Sequence, residues 1–179
     1  NNLLFAKKEG DWKMNLFTHI SYFDKELDHS NDGFLDLPKM KQINVFNRWE
    51  YDGNKNYHIA FTARALAEDR QGGQLSSIVN PYIVDINNQL IEFSSKTGSI
   101  QPNSPGKSAG LQTSFRFHNQ DGIFGINQYN VKQESSYLNF IRQTYINNTN
   151  NVLKYGFSYY ADRYTQSFSG KIDVKFEDK

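Results

Sequence analysis

The sequence predicts an all-β fold, an antiparallel transmembrane β-barrel, on three observations. Apolar and polar residues alternate over segments of about nine residues or more. Short connections rich in Asn, Asp and Gly separate these segments. Mean hydropathy is −0.72, yet aromatic residues make up 15% of the chain, with 11 Tyr and 14 Phe. Period two is the strand signal. Ordinary strands average about five or six residues, whereas a tilted strand crosses a bilayer in about nine to eleven. Barrel strands are apolar on one face only, so their mean hydropathy stays low. No stretch has the unbroken apolar length that a membrane helix needs.

The strands follow in order. In 14–22, Met14, Leu16, Thr18, Ile20 and Tyr22 share one face. In 42–51, Ile43, Val45, Trp49 and Tyr51 oppose Gln42, Asn44, Arg48 and Glu50, with Phe46 as the exception. In 57–65, Tyr57, Ile59, Phe61, Ala63 and Ala65 oppose His58, Ala60, Thr62 and Arg64. Leu111, Thr113, Phe115 and Phe117 oppose Gln112, Ser114, Arg116 and His118. Leu153, Tyr155, Phe157 and Tyr159 oppose Lys154, Gly156, Ser158 and Tyr160. Arg48, Arg64, Arg116 and Arg142 lie inside strands, which places cations on a wet face. A soluble sheet with polar residues outward shares this alternation. Trp49, Tyr51 and Tyr57 beside the 52–56 turn favour the barrel, where an interfacial aromatic belt sits at that level.

Turns are expected at 52–56, 119–122 and 147–151, where Asn, Asp and Gly tolerate positive φ. The connections on the opposite side are 26–40 and a long loop, 68–110. Short turns on one side and long loops on the other is the outer-membrane pattern. A short link near 133–136 interrupts it. Residues 80–100 also read as strand, either as a two-strand excursion within the long loop or as a break in the side assignment.

Charge and composition exclude several classes. Net charge is +1 and the pI is about 8.0, with no basic stripe for nucleic acid. The chain has no Cys, hence no disulfide, thiolate or Cys-zinc chemistry. Residues 1–20 hold no charged n-region followed by an apolar h-region. The expectation is a chain whose leader has been removed or one that begins inside a longer protein. The Asn147 sequon reads as turn asparagines.

The stretch DGFLDLPKMKQINVFNRWEYDG, followed by EDRQGGQ at 68–74, resembles the early barrel of TonB-dependent outer-membrane receptors. LIEFSSKTG and SSYLNFIRQTYINNTNNVLKYGFSYYADRY resemble later strands of that family. The resemblance spans most of 12–166 and rests on strand and turn phrases. It implies a barrel of about twenty-two strands closed by an N-terminal plug, with uptake powered through TonB. At roughly 25 residues per strand and connection, the chain holds about seven or eight strands. No plug, TonB-contacting segment or terminal aromatic strand is recognisable, so the expectation is a barrel portion across 1–179, with 68–110 as an extracellular loop. Implied partners are outer-membrane lipid, the rest of the barrel and its plug, TonB through the plug, and a small-molecule or glycan ligand. Iron chelates, haem, cobalamin and glycans are the implied substrates, and the outer membrane is the implied location.

Candidate chemistry is sparse. Asp28, Ser30, Asp32 and Asp36, with Gly33 and the Phe34 carbonyl, fit the first nine positions of a calcium loop. Position twelve is Lys39, so the bidentate Glu is missing, and Asx turns explain the same residues without metal. Asp69, Arg70 and Arg163 near strand ends are candidate ligand contacts or rim ion pairs. His19, His29, His58 and His118 lack metal spacing, Gly72 and Gly73 read as a turn, and Lys7, Lys8 and 175–179 read as solvated charge. No nucleophile–base or paired-carboxylate arrangement can be assigned, so no enzymatic activity is expected. The alternatives are a complete small barrel of about eight strands and a soluble β-sandwich binding module.

Overall fold

A computed structural model describes residues 1–170. They form one antiparallel sheet of eight strands in chain order: β1 (Asn2–Glu9), β2 (Trp12–Phe23), β3 (Lys39–Tyr51), β4 (Tyr57–Gly73), β5 (Ile83–Gln101), β6 (Ser104–Phe124), β7 (Asn127–Ile146) and β8 (Asn148–Ser169). Each strand pairs with its chain neighbour, so every link is a hairpin. β1 and β8 are the two edges, and the sheet is not closed. Among the described residues there is no helix and no second sheet. The facing layer that a β-sandwich requires is therefore missing from them. The charged 175–179 segment lies outside the described residues.

The registers sort side chains onto two faces, because directly opposed residues point the same way. One row runs Met14, Trp49, Phe61, Ser95, Thr113, Leu138 and Tyr159. All five apolar sets read from the sequence fall on this apolar face. The parallel row on the other face runs Phe17, Phe46, Arg64, Glu92, Arg116, Ser135 and Asp162. Apolar-face side chains stay open, with Phe115 50% and Phe157 60% exposed. Ala60 at 2% and Glu68 at 9% exposure are both on the polar face, as is buried Gly122. In a single layer only same-face neighbours can cover a side chain, so these three are covered by their neighbours on the polar face.

Reversals at one end of the strands (the near end) fall at 10–11, 52–56, 102–103 and 147. Gly10 and Asn147 take φ of 57° and 60° there, which Gly and Asn tolerate. The far end carries 24–38, 74–82 and 125–126. The expected turns at 52–56 and 147–151 are thus present, at the same end.

Three connections differ from expectation. Residues 119–122 lie inside β6, because Asn119, Gln120, Asp121 and Gly122 pair with Lys132, Val131, Asn130 and Tyr129. The reversal comes later, where Gly125 takes φ of 63°. Residues 133–136 sit within β7, paired on both sides. The expected long loop 68–110 is mostly sheet: β4 continues to Gly73, β5 fills 83–101, and only 74–82 and 102–103 connect. The cause is common to all three. Polar residues with a partner strand on each side satisfy their backbone groups best in the ladder, so turn-like composition does not end a strand. β5 is thus one full strand and not an excursion. β1 escaped detection because Leu3, Leu4 and Phe5 interrupt the alternation.

Gly73 ends β4 at φ 105°, and a Cβ there would collide with the Tyr82 carbonyl oxygen. Its own carbonyl accepts from Leu35 N–H at 2.8 Å, which ties 24–38 to the head of 74–82. Gly73→Val should destabilise this corner by about 1–3 kcal/mol. Proteolysis should then start in 74–82 while Gly72→Ala, whose nearest neighbour is 4.0 Å from an added Cβ, stays close to the parent.

Candidate functional site

The polar face is the chemically rich surface. Arg64, Glu92, Arg116, Ser135 and Asp162 stand directly opposite one another across five strands. Glu92 accepts from Arg116 at 2.9 and 3.0 Å. Arg48 pairs with Glu50 along β3, and Arg70 with Glu68 along β4. Asp162 makes no ion pair among the described residues. It accepts from Ser135 at 2.7 Å, Tyr160 at 2.9 Å and Gln133 at 3.1 Å. Gln133 also reaches the Tyr164 hydroxyl at 2.7 Å. These groups are partly wet, so each ion pair contributes on the order of 0–1 kcal/mol. Their collective effect is a hydrophilic wall behind an apolar one.

The 24–38 loop caps the far end. Asp28 accepts from Gly33 N–H at 2.9 Å, Asp32 N–H at 3.2 Å and the Ser30 hydroxyl at 3.3 Å. Asp32 accepts from Phe34 N–H at 2.9 Å. Asp36 accepts from the backbone N–H of His29 at 2.7 Å and contacts its ring at 2.8 Å, and these bonds, the backbone one first, hold its carboxyl below the usual range. Asp32 thus closes an Asx turn on Phe34, Asp28 and Asp36 accept from other backbone N–H groups of the loop, Ser30 donates to Asp28, and Gly33 turns the chain at φ 82°. Among the described residues, no three Asp, Glu or His side chains converge as a metal group.

Glu26 fastens that loop to the next one. It pairs with Lys39 at 2.8 Å and accepts from the Ser76 hydroxyl at 3.1 Å. The Lys39 bond first, then Ser76, hold its carboxyl below the usual carboxylate range. At the near end Asp52 is held low in the same way by Lys13, 2.8 Å away.

The three candidate ligand contacts do not form one site. Asp69 and Arg70 are adjacent on β4 and point to opposite faces. Asp69 is bonded by the Asn87 amide and shares the apolar face with Arg163, which stands opposite Glu134 on β7, three strands from β4. Arg70 is committed to Glu68 on the polar face. Arg142 also departs from its expected place. It faces Ala109 and Tyr155 on the apolar side, close to the near-end reversal, while Arg48, Arg64 and Arg116 occupy the polar face. Comparison of the chain with protein-family models, curated proteins and solved structures finds no match. Sequence reasoning did not single out Glu92, Gln133, Ser135 or Asp162. Alternation gives their face, but only the register brings them into one row.

Two outcomes follow from the loop geometry. Calcium at about 1 mM should leave trypsin cleavage of 24–38 unchanged, because no three acidic or imidazole side chains converge there and the bidentate position is Lys39. The Glu26 tie depends on a depressed carboxylate, so it is intact above the ordinary Glu pKa and lost as pH falls through the lower folded value. The Ser76 amide NMR resonance should therefore titrate with a midpoint below about 4.3, and in Glu26→Gln it should not titrate.

Proposed function

We propose that this sheet is part of the wall of an outer-membrane transport barrel of the TonB-dependent receptor type, lipid against the apolar face and the transport path along the polar face. The observation that carries this reading is the apolar band. It covers about nine to eleven residues of β2, β3, β4, β6 and β8, the depth of a bilayer for tilted strands, and narrows to Ile91 and Phe93 on β5 and to Leu138 and Phe140 on β7. Trp12, Trp49, Tyr51, Tyr57 and Tyr155 stand toward its near end, with Trp12 and Tyr51 rings 5.3 Å apart. Toward the far end the same face turns polar at Asp69, Asn87, Asp121 and Lys132. An apolar surface of this extent, without a covering layer, suits lipid better than water.

The slant of the band supports a barrel. On β2 it is centred on Leu16, whose row reaches β8 at Ala161, yet on β8 it is centred on Phe157. Lines of equal depth cross hydrogen-bonded rows when strands tilt against the barrel axis. The unpaired edges favour a large wall over a small closed barrel. β1 has 8 residues and would cover little of the 22-residue β8. Open edges of this kind require further strands. In this orientation the near end faces the periplasm, and 24–38 and 74–82 face outward, toward a nutrient such as an iron chelate, haem, cobalamin or glycan.

Phe115 lies mid-band, so Phe115→Arg should cost about 2–4 kcal/mol in a bilayer. Denaturant titration in liposomes should read that loss, and Ser114→Arg on the polar face should change stability by less than about 1 kcal/mol. Monodisperse protein in buffer without detergent would overturn the proposal.

A further inference from the structure

Charge is unevenly distributed on the polar face. Glu50 is taken by Arg48, Glu68 by Arg70 and Glu92 by Arg116. Arg64 stands opposite Glu92 but makes no ion pair among the described residues. Lys96 is more isolated still. Its direct neighbours are Ala60 and Gln112, its strand neighbours on this face are Ser94 and Gly98, and its diagonals are His58, Thr62, Gly110 and Ser114. None is a carboxylate, and Lys96 makes no ion pair among the described residues. A cation without an ion pair among the described residues favours an anion from solution.

A separate feature supplies a seat beside that charge. Gly98 and Gly110 lie directly opposite each other and leave a gap in the side-chain layer. The result is a recess of about 290 Å³ bounded by His58, Lys96, Gln112, Asn139 and Ile141. The glycines expose flat backbone, Ile141 gives an apolar side, and the two amides with His58 supply hydrogen bonds around one charge. The recess is wide enough for a single ring.

We propose that this recess binds a small anion carrying a flat apolar group, such as an aromatic carboxylate. The ring lies on Gly98 and Gly110 against Ile141, and the anionic end meets Lys96 with Gln112 or Asn139. Arg64 adds a longer-range attraction. The binding stands on the polar face alone, and its role in transport rests on the wall reading above.

Benzoate and its neutral counterpart benzyl alcohol are the probes, titrated by calorimetry into the full chain in non-ionic detergent micelles. Benzoate should bind with a Kd on the order of millimolar at low salt, and benzyl alcohol about tenfold or more weaker. Lys96→Gln should weaken benzoate about tenfold without changing benzyl alcohol. Gly98→Val, which fills the recess but keeps the charge, should weaken both. Lys154→Gln, on the same face but outside the recess, should leave both unchanged. Equal affinity for the two probes, indifference to Lys96→Gln, or no benzoate binding would overturn the inference. Liposome flotation of the same preparation separates the two readings. Protein that floats and ignores benzoate overturns the ligand alone, and protein that binds benzoate but stays in the aqueous phase overturns the membrane wall alone.

Discussion

Register is the constraint on which everything else in this sheet depends. A single layer has no second surface to hide an error, so the seven hairpin pairings must each place apolar against apolar. Side chains alternate with period two, and a slip of one residue in any pair would carry that strand's Phe, Ile and Leu to the polar side and its Arg and Glu to the apolar one. The hairpin reversals help fix the register locally. Gly10, Asn147 and Gly125 supply positive φ at links too short for other residues. Bulges between Ile100 and Gln101 and between Tyr145 and Ile146 absorb the remaining mismatch at two near-end links.

The two faces solve opposite solvation problems with the same backbone. The apolar face gains nothing from burial within the chain, because little of the chain covers it. Its stabilisation has to come from what lies against it. The polar face is held by ion pairs and amide bonds that are individually small in partly wet surroundings. What the pairs do decide is electrostatic: by consuming Glu50, Glu68 and Glu92 they leave Arg64, Lys96 and Lys154 as the cations of this face without an ion pair among the described residues. At the far end Glu26 and Gly73 join the 24–38 and 74–82 loops to one another and to β4, so the two long connections behave as one cap.

Most of the strand content was legible from the sequence. The five alternating sets all share one face, the 52–56 and 147–151 reversals are where Asn, Asp and Gly put them, and the strand count matches that expected from length. The misreadings share a cause. At 119–122 and 68–73 the composition is polar and turn-like and the strands run on past the apolar band, where alternation fades as a signal; within 68–110, β5 hides because its apolar face carries Ile91 and Phe93 but then Ser95, Thr97 and Ser99. The surroundings of the candidate residues depend on the tertiary fold for a related reason. Asp28 and Asp36 look like ligands in one dimension, yet the loop folds its own N–H groups onto them. Asp69 and Arg70 are adjacent in sequence, and a strand separates such neighbours to opposite faces.

The sequence by itself determined the alternation: which residues of each strand are apolar, which are charged, and that the two sets part onto different faces. That follows from the two-residue period of an extended chain, a local property. Only the tertiary structure decided which residues stand beside one another. The row from Arg64 to Asp162, the pairing that leaves Lys96 without a carboxylate, the gap opened where Gly98 meets Gly110, and the slant of the apolar band all depend on how far each strand slides past the next. That offset is set by hydrogen bonding between distant segments and by turn geometry, and no local pattern encodes it.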